Sequence, residues 1–338
     1  MQSAIALREG IRRVNGAPVI VVCVFLATLA AALPFSIVMR ESLRGSFDHS
    51  LAANEAARGV NHEWWTEYSS HASGLETTFT TSVIGFAAVL DNLSTLLDRE
   101  RRPGAILWMG AGYLLLWLFL SGGILDRLAR NRPIRSHGFF AACGVYFGRF
   151  LRLAPLIALA YYALFRYVHA WLFDDLYPGV TRELSVERTA FLWRLALYAV
   201  FGLLLVAVNM LFDYAKVRAV VEDRRSMIGA VAAAARFLKR NAAAAVTLYF
   251  LNGLLFLAVL ALYALAAPAA GPAGPMMWAG VAVSQLYLAA RVWVRLVFLA
   301  SEVSLFQNRL AAAGYIAVPL APRAEPPIVE QLVSEIRR

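Results

Sequence analysis

RFLKRNAAAAVTLYFLNGLLFLAVLALYALA, residues 236–266, is the stretch that decides the fold. Its first five residues hold three positive charges, and everything after Arg240 is uncharged. About 20 apolar residues at 1.5 Å rise per residue cross the hydrocarbon layer of a bilayer. A basic cluster directly before such a block is the usual mark of a membrane topology signal. The segment therefore reads as an amphipathic basic helix entering a transmembrane span at 243–266.

The same pattern recurs along the 338 residues, which are 60% hydrophobic and 16% charged. A soluble domain is roughly half apolar and about a quarter charged. Further spans are predicted at 17–39, 105–125, 153–173, 191–212 and 276–300. The expected fold class is all-α, a polytopic bundle of six transmembrane helices with amphipathic elbow helices at the interface. The net charge of +10 comes from basic residues that flank the apolar blocks. No basic run interleaves with exposed aromatics, so nucleic acid is not an expected partner. Cys23 and Cys143 fall in different environments, which argues against a disulfide framework.

The loops give the orientation. Loop 126–152 carries six arginines against Asp126 alone, and loop 213–240 carries seven basic residues against three acids. Loop 174–190 is acidic on balance, with Asp174, Asp175, Glu183 and Glu187 against Arg182 and Arg188. The Gly- and Pro-rich hairpin 268–275 is uncharged. By the positive-inside rule both termini, including the tail 301–338, lie in the cytoplasm. The abundance of arginine and alanine suits a bacterium, so the expected location is a bacterial inner membrane. Residues 1–16 read as an interfacial helix, with Ile5, Leu7, Ile11 and Val14 on one face. The segment 40–104 is the only long polar one and is expected outside, with an amphipathic helix at about 80–97.

The two basic loops resemble each other. Each begins with an aspartate, Asp126 or Asp213, and reaches a serine, Ser136 or Ser226, placed to cap the next helix. Each ends in nearly the same tetrapeptide, Arg149-Phe150-Leu151-Arg152 and Arg236-Phe237-Leu238-Lys239. The unit of span, basic turn, elbow helix and span could be a structural repeat or two independent basic hairpins. In the second unit Val217, Val220, Val221, Ile228, Val231, Ala235 and Leu238 are expected to form one apolar stripe.

No catalytic motif is present, no cofactor is implied, and an enzyme is not expected. His62-Glu63 and His71 match no standard metal-ligand spacing. Ionisable and polar groups inside the spans are the better candidates, because they are costly there and usually face a bundle interior. Arg291 and Arg295 stand one turn apart near the cytoplasmic end of the last span, Asp213 and Tyr214 end the fourth, and Asn252 lies within the fifth. With Arg149 and Arg152 they form the candidate ligand-binding set. One reading has the arginines receive an anionic lipid headgroup or small anion at the cytoplasmic leaflet. The other has them pair with Asp213 or Glu302, or snorkel to the interface, and only fix packing. Arg166 is expected to reach outward toward Asp174 and Asp175.

The segment 213–226, DYAKVRAVVEDRRS, resembles a D-Y-A-K-x-R…E-D-R-R-S signature in a family of uncharacterised bacterial polytopic inner-membrane proteins. The span–elbow–span layout is more loosely similar to the membrane domain of some glycerophosphodiester phosphodiesterases, without their catalytic domain and its acidic metal ligands. The resemblance implies a multi-pass membrane bundle and carries no catalysis. The expected function is thus the binding or transport of an anionic lipid or small anion. The alternative is a scaffold or assembly subunit that docks a periplasmic partner through 40–104. The expected partners are membrane lipids, anionic at the cytoplasmic leaflet, and a protein partner or a homo-oligomer.

Overall fold

The computed structural model describes residues 2–48, 51–56, 58, 61–80, 85–99, 104–267 and 274–312. Most of the hairpin 268–275 and the tail beyond 312 lie outside these residues. Among the described residues every regular element is helical. The helices are α1 (Gln2–Asn15), α2 (Pro18–Phe47), α3 (Ala52–Ala56), α4 (His62–His71), α5 (Ala87–Asp98), α6 (Gly104–Arg130), α7 (Ser136–Ala163), α8 (Tyr177–Thr181), α9 (Glu187–Val221), α10 (Met227–Ala266) and α11 (Pro275–Ala312). Two π-helical stretches, Leu164–Val168 and Trp171–Leu176, continue α7 into α8.

Five helices are long and apolar enough to cross a membrane: α2, α6, the run from α7 to α8, α9 and α10. Only 6% of the most apolar window of α2 is buried by protein. Leu107, Leu114, Leu203, Phe250 and Leu262 are each more than 60% exposed. Apolar patches of this extent are not stable against water, and lipid is the solvent that suits them. The chain is an all-α helical bundle and a membrane protein. Helix α11 has comparable length, but Ser284, Gln285, Arg291 and Arg295 interrupt its apolar run, and it is not among the five.

Hairpins α6–α7, α9–α10 and α10–α11 form the frame, with α9 also touching α6, α7 and α11. One end carries both arginine-rich turns and is called the basic end below. The core is denser there: Ile124, Leu125, Leu128, Phe150, Val217, Leu296 and Phe306 are essentially inaccessible. Close helix approach relies on small residues, as membrane bundles generally do. A side chain at Gly123 would meet Cys143 Sγ at 2.5 Å, which keeps α6 tight against α7.

Helix α1 packs on α11 and α10. It buries Ser3, Ala6, Gly10 and Val14, spaced three or four apart, and leaves Ile5 exposed. Ser3 Oγ donates to the Ala244 carbonyl at 2.9 Å, and Arg13 donates to the Leu128 carbonyl and to Gln307. The buried face is centred on small residues, which permit backbone contact; of the apolar face read from hydrophobicity, Val14 is buried and Leu7 and Ile11 pack against the core, while Ile5 is exposed.

The elbows also differ from the sequence reading. Helix α6 runs through Asp126 to Arg130, and α9 through Asp213 to Val221, so the turns shrink to 131–135 and 222–226. The second segment bends at Asn241, whose φ of −127° and ψ of 26° leave the helical range. The stripe expected from Val217 to Leu238 is divided between α9 and α10, and Ile228 is 73% exposed. Arg218 causes the division: it pairs with Glu222 and donates to the Ala233 carbonyl, folding α10 back along α9. Asn131 and Asp223 hold left-handed conformations at φ 49° and 47° in the two turns. Both residue types tolerate that region because their side chains hydrogen-bond locally. Ser226 caps α10 by accepting from the Gly229 N–H at 3.2 Å. Ser136 does not cap; Arg135 occupies the N-cap position of α7 and makes no side-chain cap bond.

Candidate functional site

The last turns of α9 place Asp213 and Lys216 three residues apart, so the two side chains are neighbours on one helix face. They pair at 2.6 Å, with only 13% and 17% of the side chains exposed. From α10, Tyr249 Oη donates to Asp213 Oδ2 at 2.8 Å, and its ring meets Phe298 edge-on at 4.5 Å. Asn252 stands three residues further along α10, fully buried, and donates from Nδ2 to Ser301 Oγ of α11 at 2.9 Å and to the Leu248 carbonyl at 3.0 Å. Tyr214 is also fully buried, its ring 5.2 Å from that of Phe237. Three helices thus bring Asp213, Tyr214, Lys216, Tyr249, Asn252 and Ser301 to the basic end of the core.

Glu302 follows Ser301 in α11 and has no accessible surface. Among the described residues neither of its carboxyl oxygens accepts a well-aligned hydrogen bond, although the Tyr249 hydroxyl is within reach, and Tyr214 Oη, Asn252 Oδ1 and Ser304 Oγ are likewise without a partner there. A buried polar group left unpaired costs about 1–3 kcal/mol. A carboxylate left bare in this way is far more costly, because burial away from a counter-charge penalises the ionised form. Asp213 and Tyr249 both lie within electrostatic reach of Glu302, as does Lys216.

The candidate residues from the sequence divide into three groups. Asp213, Tyr214 and Asn252 meet in this cluster. Arg291 and Arg295 lie on an exposed face of α11, and neither is ion-paired with Asp213 or Glu302. The Arg295 guanidinium stacks over the Trp117 ring with its carbon 4.0 Å from the centroid, while Asp213 and Tyr113 act on it only through longer-range electrostatics. Arg149 is turned to the second hairpin: it pairs with Asp223 at 2.5 Å, donates to the Arg224 carbonyl at 3.3 Å and lies over the Tyr146 ring. Arg152 is exposed and, among the described residues, bonds the Gly148 carbonyl of its own helix. Tyr249, Lys216 and Ser301 were not selected from the sequence. Lys216 carried a signal, since it is one of two lysines in an arginine-rich chain.

At the basic end Glu222 accepts from Arg218 at 2.6 Å and from Arg224. Burial pushes the Glu222 carboxyl up, but the two guanidinium partners outweigh it and hold the group below its ordinary range. At the far end α5 is fastened to the bundle. His169 Nε2 meets the Leu97 carbonyl at 2.7 Å, and Asp98 accepts from Tyr198, from Ser94 at 3.0 Å and from Arg194 at 3.0 Å. The Tyr198 and Arg194 bonds hold the Asp98 carboxyl below its ordinary range. Arg166 is exposed beside the Tyr167 ring, and no ion pair joins it to Asp174 or Asp175 among the described residues. No group of three His, Cys, Asp or Glu side chains among the described residues is arranged to hold a metal. Set against protein-family models, curated proteins and solved structures, the chain matches none of them.

Proposed function

We propose that the protein is a non-enzymatic, multi-pass component of a bacterial inner membrane that binds an anionic lipid headgroup through Arg291 and Arg295. In this reading α11 is the sixth span, both termini are cytoplasmic, and the basic end faces the anionic inner leaflet. The observation that carries it is the pair of arginines, one turn apart and exposed, with no carboxylate partner among the described residues while the nearby Asp213 is taken by Lys216. An arginine on a lipid-facing surface without a protein counter-charge takes one from the headgroup layer. The guanidinium also offers a planar donor fork suited to phosphate. The basic signature segment 213–226 and its resemblance to bacterial inner-membrane proteins support the same placement.

Anionic-lipid attraction near a membrane surface is about 1 kcal/mol per basic residue. Removing both arginines therefore weakens retention by roughly 2 kcal/mol, about thirtyfold. The test is native mass spectrometry of protein exchanged into mixed phosphatidylglycerol and phosphatidylcholine. Wild type should retain phosphatidylglycerol preferentially, and the double change Arg291→Gln with Arg295→Gln should lose that preference. Arg152→Gln serves as the control for general surface charge. Equal retention by wild type and the double variant would end the reading.

A second reading, a scaffold for a periplasmic protein partner, is favoured by one observation. Phe47, Trp64, Tyr68 and Phe79 pack face-to-face and edge-on, beside a cleft of about 330 Å³ lined by Ser42, Ser46, Glu67, His71 and Glu76. Deleting residues 55–76 should release co-purifying partners while the bundle stays folded. Partners that remain bound would count against it.

A further inference from the structure

We infer that the buried end of α11 is a proton-binding site, in which Glu302 carries a proton that it can give up only when the Lys216 ammonium is free to answer its charge. The inference does not depend on the lipid reading, since neither Arg291 nor Arg295 takes part.

The charges of this largely buried cluster do not balance if both carboxyls are ionised. Asp213 and Lys216 pair at 2.6 Å and cancel. Glu302 is a second carboxyl in the same cluster, with no accessible surface; among the described residues the Tyr249 hydroxyl is the polar group within reach of it, and that proton is directed at Asp213. One ammonium cannot compensate two buried carboxylates, so one of them is neutral. Asp213 keeps the ion pair and the Tyr249 hydroxyl bond, which leaves the proton on Glu302.

Among the described cations, Lys216 is the one that acts on Glu302. On α1, Arg13 is taken by Glu9 at 3.1 Å and by Gln307. On α6, Arg130 pairs with Asp126 at 2.8 Å, and Arg127 makes no ion pair among the described residues. The membrane half of α2, from Pro18 to Met39, has Cys23 as its one ionisable side chain. On α10, Tyr249 is the group that faces Glu302; on α9 Tyr214 lies beside Asp213 and Lys216, and Arg218, over the Phe306 ring, is taken by Glu222 at 2.6 Å. Within α11, Arg295 lies exposed two turns earlier over Trp117, and Arg309 two turns later makes no ion pair among the described residues.

Release of the proton breaks one O–H bond at Glu302 and forms one on water, with no change of oxidation state. Asp213 and Lys216, each slightly exposed, are the contact with solvent at that end. The ionised Glu302 then competes with Asp213 for Lys216. Proton release thereby acts on the α9–α11 contact itself, which is the kind of coupling a proton-linked carrier needs.

The test is difference infrared spectroscopy of the full chain in lipid, with carbon-13 glutamate to identify the carbonyl stretch of a protonated glutamic acid. Wild type at neutral pH should show that band in its isotope-shifted position. Glu302→Gln, whose amide replaces a neutral acid of similar shape, should abolish it. Asp213→Asn should also abolish it, because Lys216 is then free for Glu302. Absence of the band in wild type, or its survival in Glu302→Gln, would overturn the proposal. Should Glu302→Gln fail to fold, survival of the band in Asp213→Asn overturns it equally.

Discussion

Replacement of Gly10 is the sharpest probe of how α1 is attached. An ideal Cβ at this position would stand 2.8 Å from Ser301 N and 2.9 Å from both Ser301 Cα and Cβ. Carbon pairs are comfortable at about 3.5–4.0 Å, so α1 must retreat by roughly 1 Å to admit one methyl group. Overpacking of this kind costs about 1–3 kcal/mol. Alanine returns about 0.5–1 kcal/mol relative to glycine within a helix, so Gly10→Ala should loosen docking by roughly 1 kcal/mol. Gly10→Val adds two further carbons and has less helix propensity to offset them, so its loss should be larger, about 2–3 kcal/mol. Hydrogen exchange of the α1 amides in detergent reads the docking equilibrium directly, and about 1 kcal/mol appears as roughly a fivefold loss of protection. Gly112→Ala is the matched control, because nothing lies within 4 Å of its added methyl group. That variant should be neutral or slightly stabilising. Unchanged α1 protection in Gly10→Val would show that the helix does not rest on Ser301, and the packing argument would fail.

Two more perturbations follow from the hairpins. Ser226→Ala should destabilise the start of α10 by about 1 kcal/mol, the usual cost of a lost N-cap, whereas Ser136→Ala should leave the midpoint of thermal unfolding within error; equal losses would mean that the two turns are capped alike. Glu222 is held below its ordinary value of 4.5 in the folded protein. Its contribution is therefore complete above the unfolded value and disappears as pH falls through the lower folded one. Unfolding followed from about pH 6 to about pH 3 should show a larger acid-side loss in wild type than in Glu222→Gln, which keeps the share from Asp98; identical profiles would remove Glu222 from the ion-pair network.

The apolar blocks and the basic turns between them were legible because both are local properties of the chain. Span length is a count of consecutive apolar residues, and a run such as 243–266 reads the same in any context. The helical class and the membrane setting follow from that alone. The elbows were harder, since the stripe from Val217 to Leu238 is helical in spacing whether or not the chain reverses within it. The Arg218 bond to the Ala233 carbonyl holds the reversal and exists only once α10 has folded back along α9, whereas its pair with Glu222 is local to the end of α9.

The site followed the same division. Asp213, Tyr214 and Asn252 stood out because polar groups among apolar ones are costly wherever they sit. Their partners were not singled out: Lys216 counts among the basic residues of loop 213–240, and Tyr249 lies within the predicted span 243–266. The arginine pair was visible too, yet two carboxylates lay within plausible reach of it in the sequence. Tertiary structure assigns Asp213 to Lys216 and leaves Arg291 and Arg295 exposed, because which charges meet depends on the rotation of α9, α10 and α11 about their axes. By itself, then, the sequence determined that this chain needs lipid, since burying so much apolar surface is a matter of composition and length. Only the packed bundle decided where Gly10 lets α1 dock on α11 and which carboxyl is left without a counter-charge, because both depend on distances between residues nearly 300 positions or about 90 positions apart in the chain.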